Sequence, residues 1–170
     1  MKKIYLLTSL LFVCFTSKIF AQQCDPGRYL NSVYTSARTH SNVHYNTAPS
    51  LIGLCTFESL TVDQDYSLDI YEPLNDTAAL RPVIVYAHGG AFEIGTKRII
   101  PVPDFCHEMA SRGFVVISID YRKCFNELSG NSIVRAVYRA IQDMRAAIRY
   151  TRANAQTLRI DTNLVFAGGN

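Results

Sequence analysis

Once its first residues are set aside, the 170-residue chain lacks any excess of charge. The formal +3 is carried by Lys2, Lys3 and Lys18, in a stretch without Asp or Glu, and the remainder holds as many basic as acidic residues. A balanced chain offers no global electrostatic reason to bind nucleic acid or an anionic membrane surface. Long apolar runs are lacking too: Ile4 to Phe15 is shorter than the roughly 20 residues that span a bilayer, and Lys18 interrupts its extension. There is no Cys-x-x-Cys pair, so a zinc site is unsupported. There is no Walker-type loop and no GxGxxG, so no nucleotide cofactor is indicated. Internal repeats and low-complexity tracts are also missing.

What is present begins with an address. A basic start, Met1-Lys2-Lys3, an apolar stretch and the small residue Ala21 read as a secretory signal peptide over residues 1–21, and predict a secreted, periplasmic or extracellular protein. No small residue of a lipid-attachment box precedes Cys24, where Gln22-Gln23 stands, so no stable membrane anchor is expected. Beyond Cys14 of the signal segment remain Cys24, Cys55, Cys106 and Cys124. In an oxidising compartment an even set reads as two disulfides. Proximity in sequence favours Cys24 with Cys55 and Cys106 with Cys124, with free buried thiols as the alternative. Asn75-Asp76-Thr77 fits the glycosylation pattern.

At 48% hydrophobic content the chain can bury a core. Residues 22–56 are rich in Asn, Ser, Thr, Pro and Gly and predict a loop-rich N-terminal arm, with the main body at 57–170. Leu60-Thr61-Val62 and Ser67 to Tyr71 alternate at period two, as half-exposed antiparallel strands do. Val83 to Ala87, Phe114 to Ile119 and Leu164 to Ala167 are nearly continuous apolar runs, the pattern of strands buried on both faces of a parallel sheet. Helical patterns lie around Asp104 to Arg112 and from Ser132 to about Ala155. In the second, Ile133, Val137, Ile141, Met144, Ile148 and Thr151 fall on one face, with a stripe of arginines opposite that reads as a solvated surface. Antiparallel strands followed by β-α-β-α-β predict an α/β, mostly parallel sheet with right-handed crossovers.

Two strands run into glycine turns. Val83 to Ala87 leads into His88-Gly89-Gly90-Ala91-Phe92, and Val165 to Ala167 leads into Gly168-Gly169-Asn170. Consecutive glycines let the backbone turn with no side chain in the way, which backbone N–H donors to a developing oxyanion require. Such donors lower the barrier of ester attack by roughly 3–4 kcal/mol each. His40 and His44, four apart, could hold zinc only if their segment were helical, and no further ligand stands at matching spacing.

From about Leu68 to Asn170 these residues, in this order, resemble the HGGG-type serine esterases of the α/β-hydrolase fold: carboxylesterases, hormone-sensitive-lipase-like and BD-FAE-like enzymes. The resemblance implies that Gly90 and Ala91 supply the oxyanion hole, and that Gly169 and Asn170 fill the first two places of GxSxG, with the serine next. It gives His88 a structural role in the loop, because the triad histidine comes last in these enzymes. It implies that Gly89 supports the turn, and that Asp120, in Asp120-Tyr121-Arg122, braces the sheet end through Arg122 or a neighbouring arginine. The chain then reads as the N-terminal half of a secreted serine ester hydrolase without cofactor, acting on a small-molecule or polysaccharide-linked ester. By itself it is expected to be inactive and prone to aggregate along its last strand. A binding or adhesion protein, or a serine peptidase, on the same fold is the alternative.

Overall fold

The computed structural model describes residues 27–52, 55, 60–125 and 130–170. The expected signal peptide, Cys24 and the boundary at residue 57 lie outside the described residues. Five strands, β1 (Ala37–Leu51), β2 (Thr61–Pro73), β3 (Arg81–Ala87), β4 (Val115–Ile119) and β5 (Ile160–Gly169), form one sheet in the order β1-β2-β4-β3-β5. The β1–β2 and β2–β4 pairs are antiparallel, whereas β3 is parallel to both β4 and β5. Helix α1 (Val102–Ser111) connects β3 to β4, and α2 (Ser132–Ala153) connects β4 to β5.

The first two continuous apolar runs become strands covered on both faces because alternate side chains meet different helices. Val83 and Val85 of β3 and Val115, Ile117 and Ile119 of β4 face a core completed by Ala147 of α2, whereas Val116 packs with Val102, Cys106 and Ala110 of α1. The result is a three-layer α/β arrangement.

Three expectations change. The arm at 22–56 is not loop-rich throughout, since residues 37–51 form the longest strand. Its alternation is illegible because β1 lies at the sheet edge, mostly solvent-exposed, and its ladder shifts register between His40 and Val43 and again between His44 and Asn46. At the first shift Asn42 has φ of 57°, and its N–H goes to Asp69 Oδ1 at 2.7 Å. The last apolar run is likewise not buried on both faces: among the described residues β5 pairs only with β3, and Phe166 is half exposed. Helix α2 forms where expected and its expected face holds in part: Thr151 is buried and Met144 and Ile148 pack against the core, but Ile133 and Ile141 are exposed and Ser132, Ala136, Asp143 and Ala147 are buried instead.

Candidate functional site

Strands β3, β4 and β5 run the same way, so the segments after them gather at one end of the sheet, where open α/β sheets place their ligands. After β3 the chain turns through Gly90 (φ 120°), Ala91 (54°) and Phe92 (61°). Only glycine fits at 90: a Cβ there would lie 2.2 Å from the carbonyl oxygen of Ile94. That closeness follows from the turn itself, in which Gly90 O accepts the N–H groups of Glu93 and Ile94, each at 3.0 Å. Among the described residues, the N–H groups of Gly90 and Ala91 have no backbone acceptor. Left-handed backbone at non-glycine residues costs on the order of 1–3 kcal/mol each, so surrounding contacts must hold Ala91 and Phe92.

The segment after β4 makes those contacts. His88, 1% exposed, stacks on Tyr121 with ring centroids 4.5 Å apart, and the Tyr121 hydroxyl donates to His88 O at 2.7 Å. Cys124 N–H donates to Phe92 O at 2.8 Å, and Lys123 Nζ donates to Gly95 O. Burial lowers the His88 pKa below its ordinary value, keeping the imidazole neutral. In that state Nδ1 donates to Gly89 O at 2.6 Å, and the buried Nε2 has no partner among the described residues. His88 is thus wedged beneath the turn by packing.

The far end of the same loop is tied by charge pairs in which Lys97 and Asp69 are buried. Asp120 takes the Lys97 N–H at 2.8 Å and Lys97 Nζ at 2.7 Å, while Ser118 Oγ donates to Lys97 O at 3.0 Å. Buried Asp69 accepts from Arg98 Nε at 2.6 Å. The expected pairing of Asp120 with Arg122 or another arginine is therefore corrected: its cation is Lys97. Arg122 belongs instead to Asp143, fully buried on α2, which takes the Arg122 N–H at 2.7 Å and its guanidinium at 2.9 Å, and Asn46 Nδ2 at 3.1 Å. The two charges part because a loop supplies a cation on one side of the segment and a helix a carboxylate on the other.

The disulfide expectation is also corrected. Cys55 bonds to Cys124, with Cα atoms 5.6 Å apart, and Cys106 is free and buried. Cys106 sits on the inner side of α1, where burial pushes its thiol pKa up to about 12, whereas Cys124 lies beyond the end of β4 beside the β1–β2 connection. Neither His40 nor His44 is helical: in β1, His40 Nε2 meets Glu72 at 2.9 Å and His44 Nε2 meets Thr47 at 3.0 Å.

The two glycine turns come together. Ala87 and Gly169 pair in register, a Cβ on Gly169 would lie 2.8 Å from Ala87 O, and one on Gly89 would lie 3.0 Å from Asn170 O. Both turns line one cavity of about 510 Å³, with His88, Gly90, Ala91, Tyr121 and Asn170 among its walls. Lys97 and Asp143 support this end of the sheet without any local signal, and Cys55 carries a signal for a disulfide but none for its partner, because each acts through a residue at least twenty positions away in sequence. The arrangement sets N–H donors that have no backbone acceptor among the described residues on a turn next to the end of a neighbouring strand.

The family model described as BD-FAE matches residues 68–170. The neuroligin-like protein glit-1 of Caenorhabditis elegans is 33% identical over 113 residues, 64% of this chain and 15% of that protein. Gut esterase 1 of the same organism is 26% identical over 137 residues, 79% of this chain and 23% of that protein. The chain thus spans under a quarter of these relatives' length. Among solved structures, Thermogutta terrifontis esterase 2 phosphoramylated by tabun superposes with a TM-score of 0.50 at 26% identity, covering 72% of this chain and 42% of that one. Brefeldin A esterase, a bacterial homologue of human hormone sensitive lipase, shares the fold with a TM-score of 0.51 at 20% identity, covering 78% of this chain and 31% of that one.

Proposed function

The chain belongs to the BD-FAE family of esterase-like α/β-hydrolases, and from that premise we propose that it is the N-terminal part of a secreted serine carboxylic-ester hydrolase. In this reading the residue after Asn170 is the nucleophilic serine. Its Oγ attacks the ester carbonyl carbon, the carbonyl oxygen becomes an anion held by the N–H groups of Gly90 and Ala91, and the alcohol leaves an acyl-enzyme that water hydrolyses. The triad acid and histidine come from segments beyond Asn170. His88 supports the loop, and Gly89 and Gly169 keep the two turns close enough for one carbonyl group to meet nucleophile and donors together.

The observation that carries the reading is the meeting of the two turns: donors at Gly90 and Ala91 that have no backbone acceptor among the described residues on one strand end, and Gly169-Asn170 on the adjacent one. Titration of the full-length protein with p-nitrophenyl acetate tests it. Saturable hydrolysis abolished by a serine-directed phosphonate is the expected result, and its absence from folded protein rejects the reading. The match to a neuroligin-like protein favours one second reading, a non-catalytic adhesion protein on this fold. A residue other than serine after Asn170 would select it.

A further inference from the structure

We propose that the Cys55–Cys124 disulfide is a positioning element for turnover: through Tyr121–Cys124 it holds the turn at Gly90–Phe92 in the shape that presents its N–H groups. The inference rests on the reading of that turn as an oxyanion loop. Within the turn only two hydrogen bonds, both to Gly90 O, oppose its relaxation, although three successive residues hold positive φ. Relaxing Ala91 and Phe92 toward ordinary backbone would re-aim their N–H groups. What prevents this comes from one short segment. Tyr121 holds His88 by its hydroxyl and its ring, Lys123 reaches Gly95 O, and Cys124 N–H takes Phe92 O.

That segment is itself strained where it touches the turn, since Cys124 has φ of 107°, and its partner Cys55 has 59°. The disulfide joins it to the β1–β2 connection, 69 residues earlier. Cutting the bond frees Cys124 to leave the left-handed region, and its N–H then no longer fixes Phe92 O. The core is built independently of this link, because Val83 and Val85 of β3 and the valines and isoleucines of β4 are buried between the two helices. The loop therefore loosens before the sheet does. A disulfide that served only as a global staple would show the reverse, raising stability throughout without a separate effect on the loop.

The test uses the full-length protein, oxidised and after reduction by dithiothreitol, which delivers two electrons and two protons: the Cys55–Cys124 bond breaks, two thiols form, and the reagent closes to its cyclic disulfide. Amide hydrogen exchange of the peptide covering 88–95 is followed at labelling times at which Val83–Ala87 and Val115–Ile119 stay protected. Reduction is expected to speed exchange in 88–95 by about tenfold or more, and to lower kcat for p-nitrophenyl acetate by about tenfold or more with KM changed by less than about threefold. Cys55→Ser, without reduction, should match the reduced protein in both readouts. Tyr121→Phe, which keeps the disulfide but loses the hydroxyl bond to His88, should shift both readouts the same way. Unchanged exchange in 88–95, an unchanged kcat in a faster-exchanging loop, a null result for Tyr121→Phe, or deprotection of β3 and β4 at the same times would each overturn the proposal. If the oxidised protein hydrolyses no ester, the esterase reading fails, while the exchange measurement still decides whether the disulfide holds the loop.

Discussion

Replacing Gly90 by alanine adds one carbon, yet the surroundings leave no room for it. The new Cβ would stand 2.2 Å from Ile94 O and 2.8 Å from Ile94 C, both backbone atoms that no rotamer change can move away. Alanine at φ of 120° carries a further cost on the order of 1–3 kcal/mol. Relief requires swinging the Gly90–Ala91 peptide or opening the turn, which sacrifices the bonds from Glu93 and Ile94 at about 1 kcal/mol each. Either movement misdirects a donor. Loss of one oxyanion donor lowers kcat by about 10²–10³, and Gly90→Ala is expected in that range, with KM less affected because the charge develops only in the transition state. Gly90→Pro, which removes the donor outright, should do at least as much. Gly168→Ala is the control, since its Cβ would meet only ring carbons of Tyr86 at 3.7 Å and beyond, an ordinary contact. The assay is steady-state hydrolysis of p-nitrophenyl acetate by the full-length protein, with circular dichroism to verify folding. A folded Gly90→Ala variant with kcat within a few-fold of the parent would refute the assignment of Gly90 as a donor.

Asp143→Ala strands the Arg122 guanidinium, itself largely buried, and should destabilise the protein by about 3–5 kcal/mol in urea titration; an unmoved midpoint would contradict the buried pair. Lys97→Met removes the cation of Asp120 and the tie to Ser67, and should cost roughly 1–3 kcal/mol together with a fall in kcat, whereas a fall in stability alone would separate this anchor from the loop's function. Asp76 titrates low: burial alone would raise its pKa, but hydrogen bonds from Arg28, the Ala78 N–H and Tyr34 outweigh it and bring it down to about 2. Its stabilising contribution is therefore present above the ordinary value near 3.8 and lost as pH falls through 2, amounting to on the order of 2 kcal/mol. Arg28→Met should flatten the acid limb of stability against pH, and an unchanged limb would refute the coupling.

How much could be read before the structure depended on whether a feature was local. Strands β3 and β4 announced themselves as apolar runs because they are covered on both faces, and the glycine turn after β3 because the crowding at Gly90 admits no other residue. Strand β1 hid because an edge strand has solvent on most of its side chains and, here, two register shifts that break its alternation. The facing side of α2 is legible at Met144, Ile148 and Thr151, which meet the core, but not at Ile133 and Ile141, which are exposed while the small Ala136 and Ala147 are buried. Pairings such as Cys55 with Cys124, Lys97 with Asp120 and Asp143 with Arg122 were out of reach, since each joins separate elements and sequence proximity carries no information about which ends of the sheet they share.

The most direct test of the central claim is to react the full-length protein with a p-nitrophenyl phosphonate and locate the adduct by peptide mass spectrometry. The account predicts one stoichiometric adduct on a serine immediately after Asn170, formed more slowly in Gly90→Ala than in Gly168→Ala. No adduct on folded protein, or an adduct at any other residue, would contradict it.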